Sequence, residues 1–180
     1  MKNHHVREVL FSSRQIGARV RKMVHDMAEG CRGEDLVMIG ILRGSFIFLA
    51  DLVRELYSQD IHPRIDFMTL ESYGAGTESS GAVRIAKDVG MDVAGTDVLV
   101  VDDILDTGRT LTFARQHLRE LGARSVRTCA LLDKPARRVV PFEADYIGFT
   151  IEDRFVVGYG LDYDGRYREL PHIACVTFQE

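Results

Sequence analysis

Residues 97–112 read Asp-Val-Leu-Val-Val-Asp-Asp-Ile-Leu-Asp-Thr-Gly-Arg-Thr-Leu-Thr, and this stretch decides the fold. The run from Val98 to Val101 is apolar and mostly β-branched, which predicts a strand buried on both faces of a parallel sheet. The run stops at Asp102 and Asp103, so we expect the chain to leave the core where these acids appear. Small and hydroxylated residues at 106–110 then precede a helical pattern, whose apolar positions recur at intervals of three and four: Leu111, Ala114, Leu118 and Leu121.

This strand, loop and helix have the chemistry of a cradle for a phosphorylated sugar. In a loop that opens a helix, backbone N–H groups and the helix dipole bind a phosphate. The carboxylates of Asp102 and Asp103 can meanwhile hold a sugar diol or a metal ion. A loop that offers both at once predicts a ligand carrying a phosphate and a sugar.

Shorter pieces of the stretch match other classes of protein. Asp106-Thr107-Gly108 matches the triplet of the aspartic proteases, but these are all-β enzymes that need two copies; a homodimer could supply the second copy but would leave the following helix unexplained. The run from Val98 to Asp103 resembles the first strand of a response-regulator receiver, which needs a phosphoacceptor Asp at a later strand end. Asp145 stands before its apolar run, which argues against a receiver. The remaining alternative is a solvated acidic loop after a core strand.

Composition limits the partners of this chain. Its 180 residues allow one domain with a substantial core, predicted to span residues 1–180. A net charge of −4 argues against binding to nucleic acid, and we interpret the basic pairs Arg21-Lys22 and Arg137-Arg138 as solvated faces. No segment has the length of a membrane span or the pattern of a signal peptide. Three widely spaced cysteines, of which Cys129 and Cys175 lie in apolar surroundings, favour reduced thiols in a cytoplasmic protein.

Several further elements follow from hydrophobic periodicity. Ser12 with Gln15 predicts the start of a helix that ends near Gly30, with one buried face formed by Ile16, Val20, Met23, Val24 and Met27. A second predicted helix carries its apolar face on Phe46, Leu49, Ala50, Val53 and Leu56. Strands are predicted at 36–42, 65–70 and 125–132, and β-type runs at 146–151 and 155–159.

Residues 71–81, Glu-Ser-Tyr-Gly-Ala-Gly-Thr-Glu-Ser-Ser-Gly, predict a mobile loop. The loop could be a simple connection, or a lid that covers a site during reaction. We favour the lid, because Ser72-Tyr73-Gly74 resembles the flexible-loop motif of purine phosphoribosyltransferases.

The complete stretch 97–112 resembles the phosphoribosyl pyrophosphate motif of the purine and pyrimidine phosphoribosyltransferases. Relatives often have Glu at the first acid of the pair, where this chain has the shorter Asp102. The resemblance implies an α/β fold of the type I phosphoribosyltransferase kind: a central, mainly parallel sheet flanked by helices, with a small base-binding hood.

Other segments indicate the base. Residues 155–163, Phe-Val-Val-Gly-Tyr-Gly-Leu-Asp-Tyr, continuing to Arg168, closely resemble the base-binding segment of hypoxanthine-guanine phosphoribosyltransferases. Leu42-Arg43-Gly44-Ser45-Phe46 and Leu132-Asp133-Lys134-Pro135 match the same family, in the same order. The resemblance is strongest to the short bacterial form. It implies transfer of a phosphoribosyl group from phosphoribosyl pyrophosphate (PRPP) to a 6-oxopurine with the help of Mg²⁺, which yields a nucleoside 5′-monophosphate and pyrophosphate.

The resemblance also implies residue roles. Asp106 is the catalytic proton acceptor, and Asp162, Asp102 and Asp103 are the candidate ligands of Mg²⁺, although Asp102 and Asp103 could instead bind only the ribose diol. The peptide bond before Arg43 is expected to be cis, as in relatives. The implied substrate-binding residues are Leu42, Arg43, Gly44, Ser72, Tyr73, Asp102, Asp103, Thr107, Gly108, Arg109, Thr110, Lys134, Phe155, Val156, Asp162 and Arg168.

Two alternatives to this function stay open from the sequence. One is a non-catalytic, nucleotide-sensing regulator with the same fold, which would bind RNA or DNA and would need a basic face. The other is a transferase for xanthine or a pyrimidine; Lys134 and the Phe155 segment favour an oxopurine but do not rank hypoxanthine, guanine and xanthine. A homodimer or homotetramer is expected by resemblance.

Overall fold

The strand predicted at the start of the 97–112 stretch lies inside a six-stranded sheet. The computed structural model describes residues 4–31, 35–72 and 82–178. Its strands are β1 His4–Phe11, β2 Leu36–Leu42, β3 Arg64–Ser72, β4 Val83–Lys87, β5 Asp97–Leu105, β6 Ser125–Asp133, β7 Tyr146–Thr150, β8 Val156–Val157 and β9 Ile173–Phe178. Its α-helices are α1 Ser13–Ala28, α2 Phe46–Leu56 and α3 Arg109–Glu120, and short 3₁₀ turns cover Glu29–Cys31, Tyr57–Gln59 and Pro135–Arg137.

The main sheet has the strand order β4-β3-β2-β5-β6-β7. Strands β3, β2, β5, β6 and β7 run parallel, and β4 pairs antiparallel with β3 at one edge. A second, three-stranded antiparallel sheet has the order β1-β9-β8 and corresponds to the expected hood. The predicted fold class, an α/β domain with a mainly parallel sheet, is confirmed.

Helices cover both faces of the main sheet. Successive residues of β5 point alternately into two cores: Leu99 and Val101 pack with α1 and α2, whereas Val98 and Val100 pack with α3. All four of these residues are fully buried, as a strand covered on both faces requires. None of the helices in the described ranges combines the length and the apolar character needed to cross a membrane.

Helix α1 begins as its sequence predicts. The Ser12 hydroxyl accepts a hydrogen bond from the backbone N–H of Gln15, and the Gln15 side chain accepts one from the Ser12 N–H at 2.9 Å. Such a capping box satisfies two of the N–H groups that a helix start leaves unpaired. The predicted apolar face is the buried one, formed by Ile16, Val20, Met23, Val24 and Met27. The three cysteines are buried, so Cys129 and Cys175 are core residues as predicted.

Two predictions about the elements were wrong. Strand β5 does not end before the acids but continues to Leu105, because Ile104 and Leu105 keep pairing with β6. The buried face of α2 is Phe48, Leu49, Leu52 and Leu56, whereas Phe46 is 43% exposed. Most positions of α2 are apolar, so periodicity could not fix its rotation about the helix axis. Strands β1, β4 and β9 were not predicted from the sequence. Of the β-type run predicted at 155–159, only Val156–Val157 forms a strand.

Candidate active site

The candidate residues gather at the carboxyl edge of the main sheet. Strands β2, β5 and β6 are adjacent and parallel, so the segments that follow them, 43–45, 106–110 and 134–137, leave the sheet at the same edge. Ligands of open α/β sheets bind at this edge, where strand ends and helix starts converge. Segments distant in the sequence thus form one site.

The loop between β5 and α3 is built as an anion cradle. Gly108 is the residue before the first turn of α3 and has φ 88°, a left-handed conformation that favours glycine. A Cβ atom at this position would lie 2.7 Å from the carbonyl oxygen of Val140, so the neighbouring backbone also excludes a side chain. The loop lines a cavity of about 250 Å³ together with residues 102–105, Thr110 and Leu111. Thr110 and Leu111 belong to the first turn of α3, and the N-terminus of a helix stabilises an anion.

The two carboxyl groups at the end of β5 differ in their surroundings. Asp102 is buried, with 6% of its surface exposed, whereas Asp103 is partly exposed. Burial, reinforced by the adjacent Asp103 charge, raises the pKa of Asp102 well above its usual range. A side-chain hydrogen bond joins the two groups, and Asp102 also accepts the backbone N–H of Asp103 at 3.0 Å. Burial at this position therefore favours the protonated form of Asp102.

The pair should make the protein less stable as the pH rises. In the unfolded chain Asp102 loses its proton near pH 4, whereas in the folded protein it keeps the proton to higher pH. Between these two values the unfolded state binds fewer protons, so rising pH favours unfolding. Asp102→Asn removes this effect and keeps the shape of the side chain. We expect the variant to exceed the wild type in melting temperature by an amount that grows as the pH rises above about 4, by roughly 2–4 °C for each kcal/mol.

Thermal unfolding followed by circular dichroism at several pH values, without ligand, measures this difference. Asp26→Asn is the matched control, because Asp26 is an exposed carboxylate paired with Lys22 on α1. Its melting temperature should differ little from that of the wild type, since exposed pairs contribute only about 0–1 kcal/mol. A difference in melting temperature between Asp102→Asn and the wild type that stays constant with pH would contradict the raised pKa of Asp102.

The segment after β2 packs directly against Asp103. The peptide bond between Leu42 and Arg43 is cis, as expected from the resemblance. A Cβ atom on Gly44 would lie 1.5 Å from Oδ2 of Asp103, so only glycine leaves room for this carboxylate. A Cβ on Gly160 would in turn lie 2.2 Å from the carbonyl oxygen of Gly44. These two close approaches bring the 158–161 turn, the 43–45 segment and the end of β5 together.

An arginine and a carboxylate complete this side of the site. Arg168 donates to the carbonyl oxygen of Gly160 at 2.6 Å and pairs with Oδ1 of Asp162 at 2.7 Å. The charge of Arg168 also acts on Asp103, whose pKa burial raises and this guanidinium partly lowers. Asp162 further accepts the backbone N–H of Gly165 at 2.8 Å. The structure thus brings together Gly44, Asp103, Asp162 and Arg168, which the sequence placed in three separate motifs.

The other side of the site contains an ammonium group, an aromatic ring and a carboxylate. Lys134 directly follows β6, has only 8% of its surface exposed, and donates its backbone N–H to Leu105 at 3.0 Å. Phe155 is 43% exposed and meets the ring of Tyr163 edge-on at 5.5 Å. The carboxylate of Asp106 accepts a hydrogen bond from Nε of Arg137 at 3.2 Å.

One interpretation of the basic residues was wrong. Arg138 is not on a solvated face: its side chain is 16% exposed and pairs with Asp133. It also donates to the carbonyl oxygens of Leu105, at 3.1 Å, and of Asp106. Arg138 therefore ties the loop of the anion cradle to the end of β6. The sequence Arg137-Arg138 gives no sign of such contacts, because the fold determines which groups lie next to each side chain.

The chemistry of the carboxylates is compatible with Mg²⁺ bound together with a substrate. Within the described residues, no group of three or more His, Cys, Asp and Glu side chains could hold a metal ion by itself. Mg²⁺ is often bound through one or two carboxylates, with waters and substrate phosphates as its remaining ligands. Asp162 or the Asp102–Asp103 pair can provide such a partial set.

The predicted lid at 71–81 was wrong at its first two residues, because Glu71 and Ser72 pair with β4 and form the end of β3. Tyr73 and the remaining lid residues, 74–81, lie outside the described residues.

Comparison with known proteins agrees with this architecture. The family model described as phosphoribosyl transferase domain matches residues 7–164, which defines the class of protein. Hypoxanthine phosphoribosyltransferase of Escherichia coli (strain K12) is 45% identical over 174 residues, which cover 96% of each chain. Hypoxanthine-guanine phosphoribosyltransferase of Streptococcus pneumoniae is 44% identical and covers 98% of this chain and 96% of its own. The crystal structure of a hypoxanthine phosphoribosyltransferase from Staphylococcus aureus superposes with a TM-score of 0.89 at 42% identity, covering 96% of this chain and 92% of that one. The chain belongs to the hypoxanthine and hypoxanthine-guanine phosphoribosyltransferase family.

Proposed function

We propose that the protein is a purine salvage enzyme that transfers the 5-phosphoribosyl group of PRPP to hypoxanthine, guanine or both. The products are IMP or GMP and pyrophosphate. The observation that carries the proposal is the meeting of an anion cradle, a pair of acids and a nearly buried lysine at adjacent strand ends. A phosphorylated sugar and an oxygen-bearing base need these groups side by side.

The 5′-phosphate is assigned to the loop that opens α3. Thr107, Gly108, Arg109 and Thr110 offer backbone N–H groups and hydroxyls, and the first turn of α3 contains no acidic residue that would repel an anion. The ribose diol is assigned to Asp102 and Asp103, directly or through Mg²⁺.

Pyrophosphate is assigned to the opposite side of the cradle. The backbone N–H groups of the 42–44 segment would bind this group, and Arg168 would pair with its phosphate oxygens. Asp162, which lies 2.7 Å from Arg168, is our candidate for the shell of Mg²⁺. The metal would supply positive charge that stabilises the leaving pyrophosphate.

The base is assigned to the ends of β5 and β6 and to the segment before β8. Asp106 would accept the proton that the purine loses, and Lys134 would donate a hydrogen bond to the 6-oxo group. Phe155 would stack on the ring, since its exposed face has room for a ligand. Val156 would contact the edge of the base through its main chain.

This arrangement fits the chemistry of the transfer. As the bond from C1 of the ribose to pyrophosphate breaks, positive charge develops on the sugar ring while negative charge accumulates on the leaving group. The cations near pyrophosphate stabilise the leaving group, and the fixed strand ends align the weak ring-nitrogen nucleophile with C1. The remaining task is removal of one proton from the base, for which a single carboxylate suffices.

The further properties of the protein follow the same proposal. We propose one domain over residues 1–180, a cytoplasmic enzyme, to which three buried cysteines are suited, and a homodimer or homotetramer.

Turnover distinguishes the enzyme from a nucleotide-sensing regulator. A regulator would bind PRPP without releasing pyrophosphate when a purine is added, whereas the proposed enzyme releases pyrophosphate only when both substrates are present.

A further inference from the structure

Four side chains of alternating charge form a chain of ion pairs beside the proposed base site. Nζ of Lys134 lies 4.0 Å from Oδ1 of Asp153. Oδ2 of Asp153 lies 3.8 Å from Nη1 of Arg137, whose Nε donates to Oδ1 of Asp106 at 3.2 Å. We name Lys134, Asp153, Arg137 and Asp106 the base-side ion network.

The network joins three segments that are separate in the sequence. Asp106 follows β5, Lys134 precedes the 3₁₀ turn after β6, and Arg137 is the last residue of that turn. Asp153 lies in the loop between β7 and β8, two residues before Phe155. The backbone N–H of Arg137 donates to the carbonyl oxygen of Lys134 at 3.0 Å, which fixes the spacing of the two cations. The outer members, Lys134 and Asp106, have proposed contacts with the purine. The inner members, Arg137 and Asp153, have no proposed contact with a substrate.

The contacts are poorly suited to stabilise the fold. The side chains of Arg137 and Asp153 are 50% and 52% exposed, and exposed ion pairs contribute little to stability. Asp153 lies 3.8 Å from Arg137 and 4.0 Å from Lys134, which is longer than a hydrogen bond, so Asp153 orients Lys134 by charge without consuming its donors. Arg137 donates one hydrogen bond to Oδ1 of Asp106 at 3.2 Å, and a carboxylate has a second oxygen that can accept a proton. A loose network of this kind restricts where the outer groups lie and still lets them bind a ligand.

We propose that Arg137 and Asp153 are positioning residues, which set the spacing between the proton acceptor Asp106 and the hydrogen-bond donor Lys134. The inference rests on the proposed function. The 6-oxo group and the neighbouring imidazole nitrogen lie along one edge of a purine, so Lys134 and Asp106 must reach that edge at the same time. Arg137 and Asp153 link these two groups from the side away from the base, and Asp153 extends the link to the segment that carries Phe155.

Steady-state kinetics of Arg137→Ala with hypoxanthine and PRPP tests this role. We expect kcat to fall about 10- to 10²-fold, as for a misplacement of about 1 Å in a catalytic group. The KM for PRPP should stay unchanged, because the groups proposed to bind its 5′-phosphate belong to residues 107–110, none of which is a member of the network. Arg137→Lys, which retains a cation, should recover part of the lost kcat. Arg64→Ala is the matched control: Arg64 is also exposed and paired, with Asp35 at 2.8 Å, but it begins β3 at the other end of the sheet.

A double-mutant cycle supplies the second readout. If Arg137 and Asp153 act as one unit, Arg137→Ala combined with Asp153→Ala should cost little more than the worse single variant. Losses of kcat that multiply in the double variant would overturn the inference. An unchanged kcat in Arg137→Ala, with the melting temperature of the wild type, would also overturn it. A parallel rise in the KM for PRPP would also overturn it, because it would indicate a general disturbance of the site. Absence of turnover in the wild type and in Arg64→Ala would instead refute the proposed function.

Discussion

Asp106→Asn should lower kcat by about 10²–10⁴-fold, the range typical of a lost general base. The amide has the size of the carboxylate and can still contact Arg137, but it cannot accept a proton from the purine. The side chain lies on the loop of the anion cradle, beside the end of β6 that carries Lys134. Binding of PRPP should therefore persist, because the backbone groups of the cradle do not depend on this side chain.

Initial-rate kinetics and calorimetric binding of PRPP separate these two effects. Asp26→Asn serves again as the control, since it makes the same chemical change at an exposed carboxylate on α1. Turnover of Asp106→Asn within a few-fold of the wild type, with an intact fold, would remove Asp106 from the role of proton acceptor.

Gly44→Ala should abolish most of the activity through a single methyl group. The added Cβ would stand 1.5 Å from Oδ2 of Asp103, so the carboxylate or the 43–45 segment must move by more than 1 Å. Both belong to the proposed PRPP site, and a displacement of that size costs about 10²-fold in rate. We expect the loss to appear in kcat/KM for PRPP.

The same substitution at Gly17 is a sharp control. Gly17 lies within α1, and a Cβ there would meet only the tip of the Arg21 side chain at 3.7 Å. Gly17→Ala should stabilise the protein by about 0.5–1 kcal/mol through better helix propensity and should leave the activity intact. Comparable activity of Gly44→Ala and the wild type would show that Asp103 and the 43–45 segment are not closely coupled in function.

The position of the candidate site could be predicted from the sequence for a geometric reason. Parallel strands end at one edge of their sheet, so the motifs that follow β2, β5 and β6 had to meet once each strand was recognised. Hydrophobic runs and motif chemistry identify such strand ends locally. The cradle at 106–110 and the α/β fold class were predictable on this basis, whereas the roles of Arg43, Lys134 and the segment from Phe155 were implied by the family resemblance.

The contacts that the sequence did not reveal are set by tertiary structure. Arg137 and Asp106 stand 31 positions apart, and nothing in Arg137-Arg138 distinguishes Arg137, which contacts the proposed proton acceptor, from its partly buried neighbour Arg138.

The extension of β5 through Asp102 and Asp103 depends on its pairing with β6. Carboxylates usually mark the end of a buried strand because of the cost of burying a charge. Burial here raises the pKa of Asp102, which favours its uncharged form, and local sequence does not encode this environment.

The products formed from PRPP, Mg²⁺ and each of hypoxanthine, guanine and xanthine show whether the protein transfers a phosphoribosyl group and to which base. Chromatographic quantification of nucleotide and pyrophosphate gives both the identity of the base and the stoichiometry. We expect IMP, GMP or both, with one pyrophosphate released for each nucleotide formed. PRPP binding without nucleotide from any base would indicate a regulator, and faster conversion of xanthine than of either other base would contradict the assigned substrates.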